Sequence, residues 1–561
     1  DRPVQTTYPD AVVTYSFDAA GRPVLVNDTQ SGSVAMAFDA AGRLLTETTP
    51  AGTLTYSYNA ANQRTSMTAA DRQPVNYGYD LTGRLQTIQQ GSEAFTYGYD
   101  ALSRRTSLQR PNGINTTYNY DDVNRLVRLS HGQNGSLEDL RYTFTDDDQI
   151  ASITSNLTGQ QLATAKVAAP ADAMNRISQS GSAAFTFNAE GETKSKIDTQ
   201  GATNYNWDSR GRLAGVTMPS GETVNYAYDA LGRRSARTAG GVTTTFLTDG
   251  NDVVLDRGTD GTTTDYLNGL DTDEKLRQTN ARNGALYFIQ DHLDSTIALT
   301  DANGTVAERM SYNAFGDSAG SSLTRYGYTG RERDPLSGLL YYRARWYDAQ
   351  QGRFMTEDPL QFESGETNFY AYVSNDPIGS NDPMGLQRGR RGGGGPYHPP
   401  GGVSVGCTSG DSCPSLQGKM AVLMRMILSH EGWDRHVPKP RGGNRHAGEI
   451  ADLWRAYARC QALYAAKCPE KKPDCPVPDP APAPAPAPSA SPLPGPVPQP
   501  HPYPVGKGPG GSPGGIPKGV KVAGGVVAGV GAGYLIYRGL RMIPSLFPPL
   551  WPTIPANLAI P

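Results

Sequence analysis

The sequence predicts a mainly β fold of short stacked hairpins, followed by a small α-helical, partly disordered tail. Three observations carry that expectation. A short aromatic-Asp unit recurs about every 20 residues, and a fixed period of that size marks a repeat architecture rather than a conventional core. Aromatic and polar residues alternate ahead of each unit, as in Thr55-Tyr56-Ser57-Tyr58 and Asn76-Tyr77-Gly78-Tyr79, which is strand periodicity with one aromatic face. The 561 residues include 64 Gly, 43 Pro and 30 Tyr, with only 19 % charged, a balance that suits strands and turns in front and low complexity behind. A chain this long exceeds one ordinary core, so at least two units are expected.

The repeated units read SFDAAGR, AFDAAGR, SYNAANQR, GYDLTGR, GYDALSRR and NYDDVNR, with their acidic or amide residues at Asp18, Asp39, Asn59, Asp80, Asp100 and Asp121. The spacings are 21, 20, 21, 20 and 21, and the pattern returns at Phe187, Trp207 and Tyr228. Asp or Asn opens a turn by bonding nearby backbone N–H groups. In most copies a Gly three residues later supplies an unusual φ, and Arg begins the return strand. Each unit is therefore a hairpin, and one hairpin cannot bury its own face, so neighbours must stack. This pattern resembles the YD repeat of the RHS family across most of residues 10–320. The resemblance implies a long β-sheet spiralling into a hollow shell, in which these Tyr, Asp and Arg residues are structural. His292 and Asp294 fall in the looser stretch that follows and receive no catalytic role.

Residues 326–386 read YGYTGRERDPLSGLLYYRARWYDAQQGRFMTEDPLQFESGETNFYAYVSNDPIGSNDPMGL. Four Asp-Pro steps, at Asp334, Asp358, Asp376 and Asp382, favour turns joining short strands over helix. Peptide hydrolysis by carboxylates needs two of them close enough that one keeps its proton while the other activates water. A basic group can hold the ionised partner. Spacing alone leaves Asp334, Asp348 and Asp376 equally available. The blocks Arg345-Trp346-Tyr347-Asp348, Gly352-Arg353-Phe354, Asp358-Pro359 and Asp382-Pro383-Met384-Gly385-Leu386 resemble the RHS-associated core domain. That resemblance implies aspartyl-type self-cleavage, with Asp358 and Asp382 as the dyad, Arg345 orienting a carboxylate, and the cut between Leu386 and Gln387. Composition changes abruptly at Gln387, where the basic, glycine-rich stretch QRGRRGGGGP begins.

From Gln387 onward the chain holds 19 Lys+Arg against 8 Asp+Glu, about +11, while residues 1–386 carry 32 against 46, about −14. An acidic front can hold a basic tail, and a basic tail suits nucleic acid or an anionic membrane. All five cysteines lie in the tail. Their spacing matches no zinc site, so no metal or cofactor is expected, and one or two disulfides suit an exported chain. Two amphipathic helices are expected, in GKMAVLMRMILSH and in AGEIADLWRAYARCQALYAAKC. Between and beside them stand His430, Glu431, Asp434, His436, His446 and Glu449. That set reads as a polar loop, or alternatively as a metal-binding or nuclease-like site, although no His-x-x-x-His spacing is present.

The Pro/Ala run at 476–504 is a semi-rigid spacer. Beyond it, the 522–537 stretch, from Val522 to Tyr537, contains no charge and is flanked by Lys518, Lys521, Arg538 and Arg541. It is slightly short of the roughly 20 residues of a spanning helix, and Gly525, Gly529 and Gly533 form overlapping G-x-x-x-G steps. The expected organisation is a repeat shell over 1–320, a self-cleaving core over 321–386, a helical variable region over 387–475, a Pro/Gly-rich linker over 476–515 and an apolar membrane-inserting segment over 516–561. The first residue is Asp with no signal peptide after it, so the chain reads as the C-terminal part of a longer protein.

The resemblance implies a secreted polymorphic toxin, delivered into target cells and often exported by type VI secretion through an N-terminal region, with a matching immunity protein. The effector is read as membrane-active, with the target-cell membrane as its partner. The alternatives are a nuclease working on nucleic acid through the His430–Glu449 loop, and a membrane-anchored surface adhesin.

Overall fold

The computed structural model describes residues 4–132, 136–156, 168–364, 366–386 and 389–390, and positions 419, 420, 423, 456, 459, 460 and 463 of the tail. Two long antiparallel sheets dominate. The first runs without crossover from β1 (Gln5–Thr7) to β15 (Ile150–Ser155), and the second from β16 (Gln179–Ser180) to β29 (Val306–Arg309). Every strand pairs with its neighbours in sequence, as stacked hairpins require. Burial alternates along the strands: in Gly52–Tyr58 the side chains of Leu54 and Tyr56 are buried and those of Thr55 and Ser57 exposed.

The recurrent unit builds each turn the same way. In the first copy the Asp18 carboxylate accepts the Arg22 backbone N–H at 2.9 Å and the Arg22 Nε at 2.6 Å. Gly21 takes φ 79°, and where glycine is missing Asn62, Ser103 and Asn124 adopt the same left-handed conformation. The arginine also reaches forward. Arg22 donates to the Asp39 carbonyl at 3.1 Å and covers the Phe38 ring at 4.7 Å, and Arg84 does the same to Asp100 and Tyr99. The tyrosine reaches back, Tyr99 Oη donating to the Leu85 carbonyl at 2.7 Å. The Arg of each unit thus cross-links successive hairpins rather than only closing its own turn. Register slips just before the aromatic residue, between Ser16 and Phe17, Ser57 and Tyr58, and Gly98 and Tyr99. A bulge repeated at one rim adds twist at every hairpin and curves the strip.

The second sheet lies along the first as the next coil of the same strip. Arg210 pairs with buried Asp28 at 2.7 Å, Arg233 with Glu47 at 2.7 Å, Arg64 with Asp249 at 2.5 Å, and Arg105 with Glu274 at 2.6 Å. Tyr287 Oη donates to Glu93 at 2.7 Å. Partners across this seam stand 169 to 194 residues apart in sequence, so one revolution of the spiral consumes about that length of chain. The shell expected from the repeats is therefore present.

Residues 326–386 form turns and short strands, as the Asp-Pro steps indicated. A four-stranded sheet joins β30 (Glu332–Arg333), β31 (Leu340–Tyr342), β32 (Arg345–Asp348) and β33 (Arg353–Phe354). One side packs Tyr328, Tyr342, Tyr347, Phe354 and Tyr372 into an aromatic cluster, with Tyr347 and Tyr372 ring centroids 4.7 Å apart. On the other side Trp346 meets Tyr226 of the second coil, and its Nε1 donates to Tyr228 Oη at 3.1 Å. The core is thereby seated on the shell. A two-stranded ribbon joins β34 (Ser380–Asn381) to β35 (Gly389–Arg390).

The described tail positions are helical: 419, 420 and 423 in the first expected helix, and 456, 459, 460 and 463 in the second. Met420, Leu423 and Cys460 are fully buried, in one apolar cluster with Leu360, Leu386 and first-coil residues such as Tyr77 and Ile88. Cys460 is disulfide-bonded. Residues 476–561 form a separate unit outside the described residues. His430, His436, His446, Glu449, Val522, Gly525, Gly529, Gly533, Tyr537 and Gln387 also lie outside them.

Candidate self-cleavage site

Arg345 stands on β32, and the aromatic cluster beneath it fixes its position, with its guanidinium 3.6 Å over the Phe354 ring. Its Nη1 donates to the Phe369 carbonyl at 2.9 Å. The remaining Nη2 faces two carboxylates: Asp358 Oδ2 at 3.0 Å and Asp382 Oδ2 at 3.5 Å. All three side chains are nearly inaccessible, with 3–5 % of their surface exposed. Two chain segments 24 residues apart thus bring their aspartates to one buried cation.

Each aspartate uses its other oxygen locally. Asp358 Oδ1 accepts the Leu360 N–H at 2.8 Å, and Asp382 Oδ1 accepts the Leu386 N–H at 2.9 Å. The second bond places the Asp382 carboxylate one residue from the expected cut. Burial pushes Asp358 up to about 7, against the lowering effects of Arg345 and the Leu360 N–H; the negative charge of Asp382 adds to the rise. Two carboxylates sharing one buried cation cannot both ionise freely, so the neutral form of Asp358 is favoured more than that of an ordinary aspartate.

The three rival aspartates do other work. Asp334 is held by Arg237 at 2.6 Å and caps the Leu336 and Ser337 amides. Asp348 accepts the Gln350 N–H, and Asp376 accepts the Gly379 N–H. His292 lies in a degenerate repeat turn and its Nε2 meets the Ile378 carbonyl at 2.8 Å. Its neighbour Asp294 occupies the left-handed turn position, φ 65°.

The closing segment is gripped by three consecutive residues. Arg343 donates to the Pro383 carbonyl, the Ala344 N–H to Met384 O at 3.1 Å, and Arg345 Nε to Gly385 O. Gly385 has φ 69°, and a Cβ there would stand 2.4 Å from the Tyr342 carbonyl, so only glycine allows so close an approach. Leu386 is buried at 7 % exposure. Sequence reasoning missed Arg343 and the Leu360 and Phe369 backbone groups. The Arg-Ala-Arg spacing was the one signal available for the first, and backbone partners leave none. Among the described residues no group of acidic, His or Cys side chains could hold a metal ion, and no helix is long and apolar enough to cross a membrane.

A family profile described as teneurin YD-shell matches residues 96–378, and one described as RHS repeat matches residues 38–74. A third, described as a toxin with a conserved tryptophan and TIP tripeptide motif, matches residues 517–561. Trp551 and Thr553-Ile554-Pro555 stand in that stretch; the tripeptide carried no meaning in the sequence reading. The tRNA3(Ser)-specific nuclease WapA of Bacillus spizizenii is 28 % identical over 225 residues, 38 % of this chain and 9 % of that protein. The probable deoxyribonuclease RhsB of Dickeya dadantii is 31 % identical over 195 residues, 32 % of this chain and 13 % of that protein. The chain thus spans about a tenth of the length of these relatives. A solved structure of TcdB2-TccC3-TEV aligns with TM-score 0.46 at 16 % identity, covering 68 % of this chain and 28 % of that one.

Proposed function

Because the chain belongs to the teneurin YD-shell family of RHS/YD-repeat proteins, we propose that it is the shell and cargo portion of a polymorphic toxin that cuts itself after Leu386. The observation that carries this reading is one buried guanidinium shared by Asp358 and Asp382, with the Leu386 amide held on Asp382. Water attacks the Leu386 carbonyl. Asp382, whose carboxylate faces Arg345, takes the water's proton. Asp358 gives its proton to the Gln387 nitrogen as the C–N bond breaks. The products are a Leu386 carboxyl group, whose remaining proton passes to the amine or to water, and a Gln387 amine; the proton on Asp382 then moves to Asp358 and restores the starting state. Arg345 stabilises charge on the dyad and fixes its geometry.

The freed cargo is residues 387–561. The toxin-profile match supports residues 517–561 as the element that carries the harm, and the glycine-stepped apolar run inside it favours action on a membrane. An immunity protein directed at that segment completes the system. Expression of the full chain tests the cut: a fragment ending at Leu386 is expected, and Asp358→Asn or Asp382→Asn should leave the chain whole. A stable fragment ending at Leu386 from either variant overturns the dyad. Residues 387–561, added to dye-filled anionic vesicles, should cause leakage. Intact vesicles together with degraded RNA or DNA would place the activity in a nuclease instead.

A further inference from the structure

The grip on the closing segment does not end within the core. Arg343, whose guanidinium meets the Pro383 carbonyl, is itself bound through both η nitrogens by Asp273, at 2.7 and 3.1 Å. Asp273 belongs to the second coil, in the turn between β25 (Thr263–Asn268) and β26 (Lys275–Asn280). It also pairs with Arg331 of the core, which donates twice to the Tyr341 carbonyl, at 3.0 and 2.9 Å. One carboxylate with 1 % exposure thus holds two core arginines.

The joint is specific. Asp273 adopts φ 69°, a left-handed conformation that costs a non-glycine residue energy and persists where the surroundings fix it. Its backbone carbonyl accepts Gln290 Nε2 at 3.2 Å. Gly330 of the core lies so close that a Cβ there would stand 2.9 Å from Asp273 Cβ. Aspartate also stands in the left-handed turn position at Asp148 and Asp294, where it is not fully buried; at 273 its side chain is enclosed. It supplies a buried negative charge facing the core.

We propose that Asp273 is a positioning residue for the cut after Leu386, and that through Arg343 it makes cleavage depend on the second coil being seated on the core. The inference rests on the self-cleavage reading above. Its logic is mechanical. Asp382 precedes Pro383, so the Arg343 bond to the Pro383 carbonyl fixes the aspartate's distance from Arg345 and Asp358. Until the second coil arrives, Arg343 lacks Asp273, the nearer of its two counter-charges, and also Asp252 at 3.5 Å and the Asn251 carbonyl at 3.1 Å, which come from the same coil. The cargo is then severed only from a closed shell.

The test uses the full chain. Asp273→Asn should slow appearance of the Leu386 fragment at least tenfold, and Asp273→Glu should restore part of the rate. Arg343→Lys, which leaves the Asp273–Arg331 pair in place, should slow it similarly. Asp28→Asn breaks a buried pair at the coil seam away from the core, and should lower the melting temperature while leaving the cleavage rate unchanged. Equal slowing by Asp28→Asn would overturn the proposal, because the effect would then follow stability alone. Amide hydrogen exchange in the uncut Asp358→Asn background separates this from failure of the cleavage reading. There, adding Asp273→Asn should speed exchange at the Gly385 and Leu386 amides about tenfold, and adding Asp28→Asn should not. Unchanged exchange at those amides would overturn it even if the chain never cuts.

Discussion

If the proposed mechanism holds, raising the pH from 6 to 8 should slow self-cleavage about tenfold, because the proposed step needs a proton on Asp358. Burial holds that proton, and the group titrates at about 7 although Arg345 stands 3.0 Å away. A general acid titrating there is about 90 % protonated at pH 6, about half at pH 7 and about 9 % at pH 8, and the rate follows that fraction. Precursor refolded from denaturant into buffers at pH 6, 7, 8 and 9, quenched at intervals and resolved on gels, gives the rate constants. Mass analysis of the fragment's C-terminus confirms Leu386. Melting temperatures recorded at each pH exclude slow folding as the cause. A rate that is flat or rising between pH 6 and 9 would refute the assignment of Asp358 as the acid.

Other outcomes follow from the same geometry. Asp358 titrates above its ordinary 3.8, so its contribution to stability is full below about 4 and is lost as pH rises through about 7. The uncut Asp358→Asn chain should therefore gain in melting temperature relative to uncut Asp382→Asn between pH 5 and pH 8, read by calorimetry. Gly385→Ala meets the Tyr342 carbonyl and a left-handed φ together, so cleavage should fall below detection with a stability loss of about 1–3 kcal/mol. Arg233→Ala strands Glu47, whose side chain is 8 % exposed, and should cost roughly 3 kcal/mol in denaturant unfolding. Arg84→Ala, at a rim position 29 % exposed, should cost only about 1 kcal/mol.

How much was legible depended on whether the information was local. The hairpins could be read because an aromatic, an aspartate, a glycine and an arginine act within a single turn and recur at a fixed interval. The second role of the arginine, covering Phe38 or Tyr99 of the next hairpin, could not be read, since nothing in one unit says where its neighbour lies. The coil seam was hidden for the same reason. Asp28 and Arg210 stand 182 residues apart and belong to no common motif. At the site, Asp358, Asp382 and Arg345 were found through their resemblance to a family pattern, whereas spacing alone left five aspartates in contention. In the folded chain Asp334, Asp348 and Asp376 each hold a turn of their own, a role that spacing did not show.

The same two residue types do opposite work in shell and core, and the difference is a matter of stoichiometry and water. In a repeat turn one aspartate has one arginine four residues on. Burial tends to raise Asp39, but the Arg43 N–H, the Arg43 guanidinium and the Ala41 N–H outweigh it and leave the carboxyl lowered. The charge is fully satisfied, so it is inert. In the core two aspartates compete for one Nη2 group, and water is excluded from all three side chains. Desolvation now dominates at Asp358 and its charged form is disfavoured. A second arginine in reach would return the pair to the condition of a turn, with both carboxylates ionised and no proton to give. Thr356 is buried beside β33 at 8 % exposure, two residues from Asp358. If scarcity of positive charge is what makes the site reactive, Thr356→Arg should abolish cutting when its guanidinium reaches Asp358, and the crystal structure of that variant would show both carboxylates paired. Undiminished cleavage with Asp358 so paired would mean that the proton comes from elsewhere.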